Sequence, residues 1–278
     1  MIYTDEFIKS DRLENSLDIK KNLVLETISG SRARHISDFN SDIDIIAIFI
    51  DRWQDFNPIT CDIILGFDDF KRFEHQEVKG PNKKIIILPS GVDCEGEWFS
   101  LTRFFYLAGI KGSPPLIESL FVQNEFVTFS TNIGKRLIDN RNLFLSTKTF
   151  QAFKGHSTGQ LERIRKAHLS KKSDNIARQK YIDLFGYDVK MASHLLLWLD
   201  EMEQITTLNS IDLTRNKEEA KIMRQGKWGT FDKLEKYINS KIKSLEELFL
   251  KSSLLQPQTK ELHNLLKRCI YEFYDVIR

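Results

Sequence analysis

Two aspartates, Asp42 and Asp44, stand one residue apart at the head of the run Ile45-Ile46-Ala47-Ile48-Phe49-Ile50. In a strand, side chains at i and i+2 share a face, so both carboxylates project together while Ile43 and Ile45 point the other way. Like charges held that close are costly unless cations neutralise them, and hard oxygen ligands on a rigid strand suit Mg²⁺ or Mn²⁺. Twelve residues before Asp42 comes Gly30-Ser31. Gly30 offers a turn without a side chain, and Ser31 adds a hydroxyl beside freely oriented backbone N–H groups, a combination that can cradle phosphates. A phosphate turn and a metal platform are complementary halves of a site for nucleotidyl transfer, whose catalysis is mostly positioning and neutralisation of charge at phosphorus. A calcium loop opening at Asp38, Asn40 and Asp42 fails on its spacing, because it would need Gly at position 43 and a carboxylate at 49, where the chain has Ile and Phe.

The elements that must position these residues can be read from periodicity. Over residues 16–29, Leu17, Val24, Leu25 and Ile28 recur at helical spacing and stop at Gly30-Ser31, predicting a helix, a turn and then a strand. The β-branched and aromatic run from Asp42 to Ile50 predicts a strand buried on both faces. Ile85 to Leu88 and Cys94 to Phe99 are shorter strand candidates, separated by Pro89, Ser90 and Gly91. Beyond Ser100 the pattern turns helical, with Pro114-Pro115 opening one helix and apolar spacing predicting others near 131–145, 149–171, 173–183, 187–207, 215–224, 230–252 and 258–277. The expected class is α+β, a mixed α/β catalytic domain with a small mixed sheet over 1–130 followed by a mostly helical domain over 131–278. Trp53, Trp98, Trp198 and Trp228 are expected to be core or partly buried anchors.

The 278 residues are 41% hydrophobic and 29% charged with a net charge of +2, so any polyanion binding must come from local clustering. One such cluster lies between Lys154 and Lys180, where Lys154, Arg163, Arg165, Lys166, Lys171, Lys172, Arg178 and Lys180 face only Glu162 and Asp174. Such a surface could follow an RNA backbone. Cys61, Cys94 and Cys269 lie too far apart in sequence to form a close-spaced zinc motif, and a reducing, cytoplasmic setting is expected. No run approaches the roughly 18 apolar residues of a spanning helix, so no membrane association is expected.

Gly30-Ser31-Arg32-Ala33 followed by Ser41-Asp42-Ile43-Asp44 resembles the paired motif of the polymerase-beta nucleotidyltransferase superfamily. Phe99-Ser100-Leu101-Thr102-Arg103-Phe104, Lys111-Gly112-Ser113-Pro114-Pro115, Gly159-Gln160-Leu161, Gly186-Tyr187-Asp188-Val189-Lys190-Met191-Ala192-Ser193-His194 and Ile222-Met223-Arg224-Gln225-Gly226 are similar to its branch of RNA-ligase-associated polymerases and predicted nucleotidyltransferases. The resemblance implies a polymerase-beta-like palm that binds an NTP and transfers its nucleoside monophosphate to an acceptor hydroxyl. It also implies a third carboxylate on a neighbouring strand. Asp93, Glu95 and Glu97 alternate on one face there; Glu95 is the choice for catalysis and metal, although the family residue is more often Asp. Gly30, Ser31, Arg32, Ser41, Lys190 and His194 would then bind the nucleotide, with Arg34 a further candidate for the triphosphate. The family's association with RNA ligases and the basic stretch favour an RNA end as acceptor. A non-catalytic nucleotide or RNA sensor, or an enzyme modifying a protein hydroxyl, would use the same pocket.

Overall fold

The computed structural model describes residues 1–13, 16–38, 41–51, 75–79, 85–173 and 175–275. Trp53, Cys61, Asn40 and Asp174 lie outside the described residues. Two short helices, α1 (Tyr3–Lys9) and α2 (Ser16–Asn22), lead directly into β1 (Leu23–Ile28). The helix expected across 16–29 therefore ends at Asn22. Val24, Leu25 and Ile28 belong instead to a strand held on both sides, by β2 (Ile43–Phe49) and β6 (Val127–Ser130). Apolar spacing over so short a segment fits either geometry, and pairing decides it.

The remaining strands are β3 (His75–Val78), β4 (Ile86–Ile87) and β5 (Asp93–Ser100), and the sheet order is β3-β5-β2-β1-β6 with β4 also on β5. Among the described residues β2 and β5 pair in parallel and the other pairings are antiparallel. β2 is buried on both faces, as its unbroken apolar run requires: Ile43, Ile45, Ala47 and Phe49 pack with Phe7, Trp98 and Ile19, while Ile46 and Ile48 join the larger core on the other side. That larger core runs from the sheet into the helical half without a break, through Phe104, Phe144, Phe150, Leu195 and Met202. Each such side chain removed from water contributes about 1.5–3 kcal/mol.

The helical half follows the periodicity closely. Its main helices are α3 (Asn132–Asp139), α4 (Thr147–Ser170), α5 (Ile176–Phe185), α6 (Val189–Leu208), α7 (Lys217–Arg224), α8 (Phe231–Leu250) and α9 (Thr259–Phe273). Ser146 caps α4 in a reciprocal pair with Thr149, and the Asp188 carboxylate accepts from the Met191 N–H to start α6. Before them, a short helix at Pro114–Glu118 begins on its two prolines. Gly112, at φ +72, passes so close to α4 that a Cβ would sit 2.6 Å from Thr149 N. Among the described residues no helix is long and apolar enough to cross a membrane.

Candidate active site

Residues Gly30–Ala33 form a single helical turn between β1 and β2. Ser29 ties it to the strand by donating its N–H to Asp44 O at 2.7 Å. Gly30 has φ +65, and a Cβ at this position would collide with Asp44 Oδ2. Only glycine satisfies both the left-handed backbone and the approach of the carboxylate. Ser31 is buried within the turn. Arg32 is committed to the backbone: Nη2 donates to Ser41 O at 2.6 Å and Nε to Asp42 O at 3.1 Å. Ser41 Oγ in turn bonds Asp38, accepting from its N–H at 2.9 Å and donating to Oδ1 at 3.0 Å. Arg32 and Ser41 thus hold the head of β2 against the turn.

Asp44 pairs in register with Glu95 on β5, one strand over, and Ile46 with Glu97. The two carboxylates share the sheet face that the helical half covers. The Asp44 carboxyl accepts no hydrogen bond among the described residues. Its pKa is pushed up to about 6, first by burial and then by the charge of Glu95, with Asp42 adding to the rise and Lys79 and Lys190 opposing it. Of the three candidates for the third carboxylate, Asp93 stands at the start of β5, opposite Ile87. Glu97 is held by Lys79 and by His75, whose Nε2 lies 3.2 Å away, and these partners keep it below the usual carboxylate range against the effect of burial. Glu95 is the one beside Asp44.

A cavity of about 190 Å³ opens here, bordered by Ser29, Gly30, Asp44, Lys79, Glu118, His194 and Trp198 among others. Of the residues singled out from sequence, Gly30, Arg34, Asp44, Glu97, His194 and Trp198 border it, while Glu95 stands next to Asp44 on β5 without lining it. Ser31, Arg32 and Ser41 do not line it, Asp42 is exposed at the strand head, and Lys190 sits one turn before His194 on α6. Lys79, Glu118 and Trp198 were not legible as site residues. Lys79 adjoins β3, which no periodicity marked, and the other two come from segments distant in sequence. Arg34 also borders the cavity, but its guanidinium, 2% exposed, bonds Glu118 and Glu201. An uncompensated arginine cannot be buried, so two acids from the helical half claim it.

Among the described residues, no group of three or more His, Cys, Asp and Glu side chains is arranged to hold a metal ion. Mg²⁺ commonly takes one or two carboxylates and completes its shell with water and phosphate oxygens, and Asp44 beside Glu95 is a hard-oxygen pair of that kind. The donor chemistry fits. The basic stretch is partly spent on ion pairs, Lys154 with Glu246 at 2.6 Å, Arg165 with Glu162 and with Glu235, and Arg178 with Asp188 at 3.7 Å. Arg163, Lys166, Lys171 and Lys172 remain exposed.

No family model matches the sequence, and neither does any curated protein. Among solved structures, the chain is similar to a nucleotidyltransferase-like protein from Exiguobacterium sibiricum 255-15, with 10% identity, a TM-score of 0.31 and coverage of 98% of this chain and 78% of that one. A superposition that loose bears no functional weight, and the side chains themselves must carry the chemistry.

Proposed function

We propose that this protein is a metal-dependent nucleotidyltransferase, moving a nucleoside monophosphate from an NTP to an acceptor hydroxyl. The observation that carries it is the half-buried Asp44 carboxyl, without a hydrogen-bond donor among the described residues, set in register beside Glu95 and pressed against a side-chain-free Gly30 turn. A structural carboxylate would be satisfied by donors; this one is arranged to receive charge from outside. Asp44 and Glu95 would hold Mg²⁺ or Mn²⁺, with Asp42 adding negative charge from the strand head, and the metal would supply charge neutralisation at the carboxylates and the triphosphate. The Gly30 turn would admit the phosphates close to the backbone, and Lys190 and His194 would hold them from the helical side. The acceptor oxygen bonds to the α-phosphorus, the bond to the bridging oxygen breaks, and pyrophosphate leaves. Glu95 takes the hydroxyl proton. The exposed Arg163, Lys166, Lys171 and Lys172 support an RNA end as acceptor.

The test is to incubate the protein with each α-labelled NTP, Mg²⁺ or Mn²⁺, and RNA, protein and small-molecule acceptors. Label transfer with pyrophosphate release, abolished by Asp42→Asn or Asp44→Asn, is expected. Nucleotide binding without turnover on any acceptor would instead make the pocket a sensor. Absence of metal-dependent nucleotide binding would exclude both.

A further inference from the structure

The buried guanidinium of Arg34 forks three ways. Nη2 donates to Glu118 Oε1 at 2.7 Å and Glu201 Oε1 at 2.9 Å, while Nη1 lies 3.1 Å from His194 Nδ1. A guanidinium has donors only, so Nδ1 must be the acceptor. His194 then carries its one ring proton on Nε2. It cannot be an imidazolium while this contact stands, because an imidazolium presents N–H at both nitrogens. The surroundings act the same way: burial, then the positive charges of Arg34, Arg224, Lys190 and Arg178, hold His194 well below the ordinary histidine range. Nε2 has no hydrogen-bond partner among the described residues, and the ring borders the cavity that also holds Gly30 and Asp44. Lys190, one helical turn earlier, has no ion pair among the described residues either. Trp198, one turn later, donates its indole N–H to the same Glu118 oxygen at 3.0 Å and fixes the other side of the fork.

We propose that Arg34 is a positioning residue that fixes His194 as an Nε2–H donor, and that this donor serves a phosphate oxygen of the nucleotide instead of acting as a base. The second part rests on the nucleotidyl-transfer assignment; the first does not. Arginine is required because one planar group must donate to two carboxylates and a ring nitrogen at once, which a lysine ammonium on a flexible stem does not reproduce. The arrangement also links the two halves of the site. Arg34 follows the Gly30–Ala33 turn directly, whereas His194 and Glu201 lie on α6, so the turn and the helix-borne donor are set at a fixed spacing.

Long-range ¹H–¹⁵N spectra of the histidine side chains read the tautomer in the unmodified protein, with His194→Gln assigning the resonance. Between pH 5.5 and 8, His194 is expected to show a protonated Nε2 and a bare Nδ1 without titrating. In Arg34→Lys it should show mixed tautomers or a titration. An Nδ1–H tautomer or an imidazolium in the unmodified protein overturns the role of Arg34, and this result needs no variant to fold. Calorimetry with the four NTPs and Mg²⁺ tests the second part. His194→Leu should weaken binding about tenfold or more, the worth of a hydrogen bond to a charged group, while His194→Gln, which keeps an N–H donor, recovers most of it. Equal binding by His194→Leu and the unmodified protein overturns the phosphate contact. If no NTP binds the unmodified protein, the phosphate contact and the nucleotidyl-transfer assignment fall together, and the tautomer spectrum still decides what Arg34 does.

Discussion

Glu26, buried, and Asp44, half-buried, are carboxylates on adjacent strands, facing opposite sides of one sheet. Glu26, fully buried, is surrounded by donors: Tyr3 N at 2.8 Å, Thr4 N at 2.6 Å, Thr4 Oγ1 at 2.5 Å and Thr128 Oγ1 at 2.6 Å. It holds the start of α1, with Trp98 Nε1 donating to Thr4 Oγ1 behind it at 2.9 Å. Asp44 has no such donors among the described residues and faces a second carboxylate and a cavity. Both are at least partly buried. What separates structure from function here is whether the fold has already satisfied the charge.

The largest effect expected from breaking this contrast is on activity. Asp44→Asn should lower nucleotidyl transfer on the order of 10³-fold, comparable to losing a principal electrostatic contact in other active sites, while Glu26→Gln should leave the turnover of the folded protein close to normal. In stability the order reverses. Glu26→Gln turns an amide N–H₂ toward backbone and hydroxyl donors and should cost about 2–3 kcal/mol in urea unfolding. Asp44→Asn should stabilise the metal-free protein. If both variants destabilise alike, Asp44 is structural and the contrast is broken.

The pH dependence sharpens the same point. Asp44 is raised from 3.8 to about 6 in the folded state, so the native form holds its proton more tightly than the unfolded chain. Its contribution is neutral below about pH 4 and becomes destabilising as pH rises through 6, by at most about 3 kcal/mol for a shift of that size. The stability difference between Asp44→Asn and the unmodified metal-free protein should therefore be small at pH 4 and largest at pH 7–8, and Mg²⁺ should shrink it. A difference that instead falls with pH would show that Asp44 is paired. Gly30→Ala should cost about 1–2 kcal/mol through its positive φ and displace Asp44 besides, read as weaker Mg²⁺ protection in thermal melts. The smallest effect belongs to the surface: reversing Arg163 and Lys166 should lower RNA affinity and flatten its salt dependence without changing Tm. Unchanged affinity would remove this face from the RNA footprint.

Much of the framework was legible. Asp42 to Ile50 is a strand buried on both sides because its apolar residues do not alternate with polar ones, and Asp44 faces the cavity by the same two-residue period that aligned it with Asp42. The helices from Asn132 onward follow their 3.6-residue spacing to within a few positions. β1 was not legible, since Val24, Leu25 and Ile28 satisfy a helix as readily as a strand until β2 and β6 flank them. Nor were the different surroundings of Asp93, Glu95 and Glu97, which share a face by alternation. The register of β5 against β2 puts Glu95 beside Asp44, and Lys79 and His75 hold Glu97 at the cavity.

The sequence by itself determined the local matters: which residue types could bind phosphate and cation, where glycine must replace a side chain, and where helices begin and end. These depend on neighbours within a few residues. The tertiary structure decided which charges are satisfied. Arg34 meets His194 and Glu201 across 160 and 167 residues of chain, and no periodicity encodes such a meeting. It follows from the packing of α6 against the turn, where a buried cation must find its acids, while Asp44 has no donor of its own among the described residues.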